Sequence, residues 1–175
     1  MIALVVVGCS QEPNSPLSSD LSGQTANGSE RATLGLATAV SGITSATLHL
    51  YVISPSSQEV RIHRITGPWD EMTVTWNNFG AAFSPAVEAT FVADAVGWEM
   101  IDVTALVTAW ADGTHMNYGL LLDQDNLSLR TEVVSSDSEN LNHPFVVICS
   151  DQGCDTIYID MDTFINERDA TLNFG

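Results

Sequence analysis

Apolar and polar residues alternate along most of the chain, and this pattern predicts β-strands. In residues 46–53 the apolar side chains of Leu48, Leu50 and Val52 fall at every second position, which is the period of a strand with one buried face. A short break rich in serine and proline separates this run from a second one at residues 60–65. We therefore expect a β-hairpin here.

Further short apolar runs follow, each bounded by turn residues. They lie at residues 73–76, 87–92, 117–122, 129–134 and 145–148. Many short strands separated by turns are typical of two antiparallel sheets packed face to face. The sequence therefore predicts an all-β protein with the architecture of an antiparallel β-sandwich.

One segment has the period of a helix instead. Four apolar residues fall at positions i, i+3, i+4 and i+7, namely Val103, Leu106, Val107 and Trp110. Asp102 stands where an N-cap is expected, and Gly113 lies just past the end. The pattern predicts one short helix at about 103–111 that covers an open end of the sandwich, with Trp110 in the core.

The end of the chain, residues 155–175, again alternates like a strand. Ile157, Ile159 and Met161 take every second position. A strand of this kind needs a partner, because an unpaired apolar edge promotes aggregation. The partner is either this chain's own sandwich or another copy of the chain.

The first nine residues resemble a bacterial lipoprotein signal. An apolar run at residues 2–7 is followed by Gly8 and Cys9, after which the chain turns polar. The resemblance implies lipidation of Cys9 and export, as an outer-membrane lipoprotein or a cell-surface or extracellular protein. Residues 10–30, rich in Ser, Asn, Pro and Gly, are expected to form a flexible tether. The remaining residues, 31–175, are expected to form a single domain.

The charge of the chain limits its partners. Its 175 residues include 22 acidic side chains and only five basic ones, for a net charge of −17. Such a surface repels phosphate backbones and acidic membranes, so we expect no nucleic-acid partner and membrane contact only through the lipid anchor. Acidic polysaccharides are disfavoured for the same reason, and a neutral glycan is easier to accommodate.

Several motifs together resemble the DNRLRE domain family. They are Trp69-Asp70-Glu71, TVTWNN at 73–78, Trp98, DVT at 102–104, NYGLL at 117–121 and His143-Pro144. The resemblance extends over residues 34–148. It implies a jelly-roll-like β-sandwich of bacterial and archaeal surface proteins, some of which are carbohydrate-binding modules.

Domains of that family usually begin with a strand of the type Asp-x-Tyr-Ile-Asp and a tail ending in Leu-x-x-Gly. Here the corresponding residues, 155–160 and 172–175, lie at the end of the chain. The resemblance thus implies a circularly permuted domain in which residues 155–175 supply the family's usual first strand. This strand completes the chain's own sandwich or, if it is donated to a neighbouring copy, joins copies into a filament.

The cysteines bear on that choice. Once Cys9 is consumed by lipid, Cys149 and Cys154 remain as an even pair in an oxidising compartment, and we expect them to form a disulfide. A bond between them folds the chain back on itself. This favours pairing of the C-terminal strand within its own chain.

Four aromatic residues are candidates for sugar binding, because sugar recognition needs exposed aromatic faces. They are Tyr51, Trp69, Trp76 and Tyr118. Tyr51 shares the outward face of its strand with His49 and is the best exposed candidate. Trp69 and Trp76 are expected to pack a loop and a strand edge, with Glu71 accepting backbone hydrogen bonds.

Catalytic and metal-binding chemistry has little support in the sequence. No nucleophile–base pair, phosphate loop or placeable pair of carboxylates is evident, so we expect no enzymatic activity. Asp160 and Asp162 are candidate ligands of a structural calcium ion, although Ca²⁺ needs six to eight oxygen ligands. His49 and His63 could hold zinc if they face each other across the predicted hairpin. No other cofactor is expected.

The sequence therefore predicts an exported, non-catalytic surface module for adhesion or for binding of a neutral carbohydrate. The alternative is a structural filament subunit that donates the C-terminal strand, residues 155–175, to a neighbouring copy.

Overall fold

The computed structural model describes residues 3–8 and 42–174, which fold into two antiparallel β-sheets packed face to face. The described strands are β1 (Ala3–Gly8), β2 (Ile43–Ser54), β3 (Ser56–Arg64), β4 (Ala89–Ala93), β5 (Gly97–Asp102), β6 (Leu120–Gln124), β7 (Glu132–Val133), β8 (Phe145–Ser150), β9 (Gly153–Tyr158) and β10 (Met161–Asn166). The described helices are α1 (Trp76–Phe79), α2 (Thr104–Ala111) and a 3₁₀ turn at Leu127–Leu129. The predicted fold class, an all-β, jelly-roll-like sandwich, is confirmed.

Each sheet is a continuous set of hydrogen-bonded strands. Sheet A contains β10, β1, β6, β3 and β4 in that order, and sheet B contains β5, β2, β8 and β9. The short strand β7 pairs with the end of β2, where Val133 lies opposite Val52.

The main core lies between the two sheets. Leu48 and Leu50 of β2 pack in one cluster with Ile62 of β3 and Leu122 of β6, and none of the four is more than 3% exposed. Burial of side chains this large contributes about 1.5–3 kcal/mol each. The α2 helix closes one end of this core, where Trp110 packs against the cluster as predicted.

Strand β6 is buried on both faces. Leu120 and Leu122 belong to the main core, whereas Leu121 packs with Ile65 and Ile165 in a second apolar cluster on the other side of sheet A. A strand covered on both faces has a continuous apolar run rather than an alternating one. This accounts for the three consecutive leucines.

The α2 helix begins one residue later than a cap at Asp102 implies. Val103 holds the N-cap position, and the Asp102 carboxylate accepts hydrogen bonds from the backbone N–H and the hydroxyl of Thr104, at 2.9 and 2.6 Å. Asp102 thus stabilises the first turn from just outside the helix.

The predicted hairpin between residues 46–53 and 60–65 is wrong. β2 lies in sheet B and β3 in sheet A, so the chain crosses between the sheets at Pro55. Both strands bury one face in the same core. Apolar and polar residues alternate in such strands whether the two are paired in one sheet or lie in two facing sheets, so the alternation does not distinguish these arrangements.

The strand predicted at residues 73–76 is also wrong, because this segment turns into α1. The Thr75 hydroxyl accepts a hydrogen bond from the N–H of Asn78, and the Asn78 side chain accepts one from the N–H of Thr75. This reciprocal capping outweighs the strand preference of the β-branched residues. Strand β5, in contrast, was not predicted.

The apolar run predicted as a lipoprotein signal core forms β1. This strand lies in the interior of sheet A, antiparallel to β6 on one side and to β10 on the other. Cys9 and the predicted tether at residues 10–30 lie outside the described residues, so lipidation of Cys9 stays a prediction.

The C-terminal segment lies in this chain's own sheets. A disulfide joins Cys149 and Cys154, the predicted pair, and links β8 to β9 at the edge of sheet B. The chain then crosses to sheet A, where β10 pairs with β1.

Candidate functional site

The outer face of sheet B carries five ring side chains, which we call the aromatic platform. They come from four adjacent strands and are His49 and Tyr51 of β2, Trp98 of β5, Phe145 of β8 and Tyr158 of β9. The strand register aligns them in two rows. His49 lies opposite Phe145, which lies opposite Tyr158, and Tyr51 lies opposite Trp98.

The alternation of β2 places the platform on the outer face. Leu48, Leu50 and Val52 are fully buried between the sheets. Since successive side chains of a strand point to opposite faces, His49 and Tyr51 point away from the core.

The platform rings contact one another. His49 stacks on Phe145 with ring centroids 4.4 Å apart. Trp98 meets Tyr51 and Phe145 edge-on, at 5.2 and 5.3 Å, and Phe145 lies 5.8 Å from Tyr158. Such contacts stabilise ring orientations in the absence of a ligand, so less ordering is needed on binding.

The platform is open to solvent at both sides. Trp98 is 40% exposed and Tyr158 is 65% exposed, whereas His49, Tyr51 and Phe145 between them are half-buried. Adjacent exposed apolar side chains on a soluble protein mark an interaction surface.

The centre of the platform is uncharged at neutral pH. Burial lowers the pKa of the His49 imidazole from its ordinary value of 6.5. Polar groups lie in the next row of the same face, where Thr47 pairs with Asp102 on one side and Val147 on the other, and Thr156 pairs with Val147. The face thus combines apolar rings with hydrogen-bonding groups beside them.

Of the four predicted sugar-binding residues, only Tyr51 lies on the platform. Trp69, Trp76 and Tyr118 pack against the second apolar cluster, on the far side of sheet A. The Trp69 Nε1–H donates a hydrogen bond of 2.8 Å to the carbonyl of Tyr118. These half-buried rings hold the α1 segment on the sheet, which is the packing role expected of Trp69 and Trp76.

A cleft of about 380 Å³ lies beside Trp69. Its polar groups bond within the loop itself: the Thr73 hydroxyl donates to Asp70, and the Asn78 amide bonds to the backbone of Thr73 and Thr75. The side chains of Asp70, Thr73 and Asn78 in the cleft are thus already hydrogen-bonded within the loop.

An acidic junction joins Glu71 to the C-terminal segment. Glu71 Oε1 accepts a hydrogen bond of 2.8 Å from the backbone N–H of Asp162, consistent with the backbone-accepting role expected of Glu71. Burial raises the pKa of Glu71, and the nearby carboxylates of Asp137, Asp162 and Asp160 raise it further, against the lowering effect of that hydrogen bond.

The two predicted calcium ligands, Asp160 and Asp162, are too few to form a calcium site by themselves. The Asp162 carboxylate accepts hydrogen bonds from the Ser136 N–H and from the hydroxyls of Ser135 and Ser136. Within residues 3–8 and 42–174, no group of three or more His, Cys, Asp or Glu residues is arranged to hold a metal ion. Calcium at Asp160 and Asp162 stays a prediction.

The zinc hypothesis for His49 and His63 is wrong, because the two residues lie in different sheets. The His63 Nδ1 is 3.0 Å from the carbonyl oxygen of Ser84 and 2.9 Å from that of Ala86. Two acceptors at this nitrogen require that it carries the proton. The other ring nitrogen, Nε2, lies 3.7 Å from the Asp123 carboxylate.

Trp98, Phe145 and Tyr158 are platform residues that were not predicted as ligand-binding candidates. Trp98 lies in β5, which was not predicted as a strand. The sequence does indicate that Phe145 and Tyr158 point outward, because each stands next to an inward-facing apolar residue in a predicted strand. Their alignment with Tyr51 depends on strand order, which alternation does not determine.

Comparison with known proteins places the chain in a family. A search of curated proteins finds no match. In the described part of the chain, no helix has the length and apolarity needed to cross a membrane. The sequence profile of carbohydrate-binding module family 96 matches residues 24–150, a range that includes β2 to β8 and therefore His49, Tyr51, Trp98 and Phe145. Because this match covers more than half of its length, the chain belongs to carbohydrate-binding module family 96.

Proposed function

We propose that this chain is a non-catalytic module that binds a neutral carbohydrate through the aromatic platform. The observation that carries the proposal is the set of contacting, solvent-accessible rings across four adjacent strands. Aromatic faces bury the apolar face of a ligand while hydrogen bonds at their edges orient it. The family match supports this function, because carbohydrate-binding modules are typically non-catalytic.

The shape of the platform favours a polysaccharide chain over a single enclosed sugar. Neighbouring strands lie about 4.8 Å apart, so the platform spans about 14 Å from β5 to β9. A surface of this width, open at both sides, accommodates several sugar units laid across the sheet.

Charge favours a neutral ligand. The chain carries a net charge of −17, and hydrogen bonds from Thr104 lower the pKa of Asp102, which therefore stays ionised at the border of the platform. An acidic polysaccharide would be repelled by both the border and the whole surface. Uronate-rich chains are thus the least suited ligands.

Export and surface location follow from this function, because carbohydrate-binding modules are usually extracellular or surface modules. If the bound glycan belongs to another surface, binding also serves adhesion.

Lipidation of Cys9 is a separate proposal. If the chain is cleaved before Cys9, residues 3–8 are removed and cannot form β1 in sheet A. A molecule is therefore either cleaved and lipidated at Cys9 or retains β1. Labelled palmitate that is incorporated by the wild type and not by Cys9→Ser supports the anchor, and equal labelling contradicts it.

The filament alternative requires residues 155–175 to leave their own chain. Here β9 and β10 extend the chain's own sheets, and the disulfide holds β9 to β8, which favours the binding module. Size-exclusion chromatography and electron microscopy distinguish the two functions, since the first gives discrete particles and the second gives filaments.

The direct test is binding to an array of neutral and acidic polysaccharides, with and without calcium. Trp98→Ala removes a platform ring, and Leu141→Ala is the matched control, because Leu141 is 91% exposed and lies outside the platform. We expect the wild type and Leu141→Ala to retain the same neutral glycan, and Trp98→Ala to bind it at least about tenfold more weakly with unchanged thermal unfolding. Retention of no neutral glycan, or undiminished binding by Trp98→Ala, overturns the proposal.

A further inference from the structure

Among the residues that the structure describes, strand β1 pairs laterally with β6 and β10 of sheet A. All six of its residues pair with β10, from Ala3 opposite Asn166 to Gly8 opposite Met161, and five of them pair with β6. Thirty-four residues (9–42) separate β1 from β2, the next strand that the structure describes. This sequence separation is longer than the connections that usually join strands in compact domains.

The position that β1 occupies is a groove between two strands that are not paired with each other. Both β6 and β10 are antiparallel to β1, so they run parallel to each other with a gap of one strand. That gap is about 10 Å, which is too wide for backbone hydrogen bonds between them. A strand in the groove satisfies both edges at once.

The side chains that flank the groove are buried on both faces of sheet A. On one face, Leu122 belongs to the main core; on the other, Leu121 and Ile165 belong to the second cluster, and Thr163 is 3% exposed. Polar residues also lie opposite β1, namely Asp123 opposite Leu4, and Gln124 and Asn166 opposite Ala3. Burial on both faces favours an apolar strand, and the sequence of β1, ALVVVG, contains no polar side chain.

In molecules that keep residues 1–9, the geometry points to a strand-acceptor groove, between β6 and β10, that takes residues 3–8 of a second copy of this chain in place of its own. The incoming strand makes the same lateral pairs, and the preference for the chain's own strand weakens as the connection lengthens. Reciprocal exchange of an identical segment joins two copies in a closed dimer. The groove lies in sheet A and the platform on sheet B, so this exchange is independent of carbohydrate binding.

Charge determines the conditions under which exchange occurs. Two copies with a net charge of −17 each repel one another, and salt screens that repulsion. Exchange therefore increases with both protein concentration and ionic strength.

Paired cysteines test the exchange in the full chain. In a Cys9→Ser background, Val6→Cys is introduced in one copy and Thr163→Cys in another, because these residues lie opposite each other in the β1–β10 register. After joint refolding under oxidising conditions, we expect a cross-link between the two copies on a non-reducing gel. Thr47→Cys, on the outer face of sheet B, replaces Thr163→Cys in the matched control and gives none.

The double variant Val6→Cys/Thr163→Cys at low concentration serves as the register control and is expected to form a bond within one chain. A bond within the double variant, with no cross-link between copies at any concentration or salt, overturns the exchange. Failure of the double variant to form any bond overturns the groove itself.

A measurement on the unmodified chain does not depend on these variants folding. Analytical ultracentrifugation at high protein concentration and salt is expected to show a dimer, which a synthetic peptide of residues 2–8 with flanking lysines converts to monomer. The same peptide with Val5→Pro has no effect, because proline cannot donate to the ladder inside a sheet. A chain that stays monomeric under all these conditions contradicts the proposal.

Discussion

The imidazole of His49 lies flat on the ring of Phe145, with centroids 4.4 Å apart and an angle of 11° between the planes. The pair bridges β2 and β8 at the centre of the aromatic platform. Cross-strand aromatic pairs of this kind stabilise a sheet by about 0.2–1 kcal/mol. The same contact stabilises the part of the face on which a sugar would stack.

Replacement of Phe145 by alanine is expected to weaken carbohydrate binding more than it weakens the fold. The ring contacts His49, Trp98 and Tyr158, so its loss frees three other platform rings. We expect affinity for the neutral glycan identified by array to fall about tenfold, while the free energy of unfolding falls by about 1 kcal/mol. Isothermal titration calorimetry and urea unfolding measure the two. Equal affinity in wild type and Phe145→Ala contradicts the role of the platform.

His49 is expected to make stability decline in mild acid. Because burial lowers the pKa of folded His49 from 6.5, the unfolded chain binds the proton more readily. The stability contribution is therefore present above pH 6.5 and is lost as pH falls through 6.5 toward the folded pKa. His49→Phe retains a ring and removes this loss, so the difference in melting temperature between variant and wild type grows as pH falls from 8 to 5. A constant difference contradicts the assignment.

Much of the fold could be predicted from the sequence because the core is built from alternation. The inward positions of β2, Leu48, Leu50 and Val52, identify a one-sided strand without any knowledge of its partner. The partner itself depends on where the chain crosses between sheets. Pro55 marks a break but not whether the next strand returns to the same sheet, which is why the hairpin prediction failed.

The candidate site was harder to predict, because its residues are brought together by strand order. Tyr51 and Trp98 are separated by 46 positions and lie opposite each other only because β5 pairs with β2. Trp69 has the sequence context of an exposed loop, but a hydrogen bond to the backbone of Tyr118 holds it against the second cluster. An aromatic residue in a predicted loop therefore does not by itself indicate a binding surface.

Glu71→Gln is expected to stabilise the protein at neutral pH. Burial and the neighbouring carboxylates raise the pKa of Glu71, so its ionised form is less stable in the folded state than in the unfolded chain. Glutamine keeps a carbonyl acceptor for the Asp162 N–H. We expect a gain of about 0.5–1 kcal/mol at pH 7, which disappears as pH falls below the ordinary range of a glutamate, where both states are protonated.

Glu139→Gln is the matched control for that experiment, since it removes one negative charge from an exposed position. Thermal unfolding from pH 3 to 8 measures both variants. If the control gains as much as Glu71→Gln, the effect is one of net charge and the local explanation is wrong.

Ile165→Ala is expected to destabilise the protein by about 2–5 kcal/mol, because Ile165 is fully buried in the second cluster. The residue belongs to β10, so the variant tests whether β10 is packed in the core. Leu172→Ala, at a half-exposed position of the same segment, is expected to cost less than about 1 kcal/mol. Urea unfolding that does not distinguish the two variants contradicts the burial of Ile165 in the second cluster.

The Arg61 guanidinium bridges the buried carboxylate of Asp123 and the exposed carboxylate of Asp125, and Arg61 and Asp123 are expected to be strongly coupled. The Arg61 Nη2 and Nε lie 2.5 and 2.9 Å from Asp123 Oδ2, and the Asp123 side chain is 6% exposed. Asp123 Oδ1 has no hydrogen-bond partner among the described residues. Arg61→Met leaves the Asp123 carboxylate without its guanidinium partner and with the His63 Nε2 at 3.7 Å, at an expected cost of about 3–5 kcal/mol.

The double variant Arg61→Met/Asp123→Leu removes both charges and is expected to be more stable than Arg61→Met alone, because no buried charge is left unpaired. Arg130→Met is the matched control, since the Arg130–Glu132 pair is 45% and 40% exposed and is expected to contribute less than about 1 kcal/mol. Urea unfolding of the four chains, wild type included, gives the comparison. If Arg61→Met costs no more than Arg130→Met, the Arg61–Asp123 pair does not stabilise sheet A.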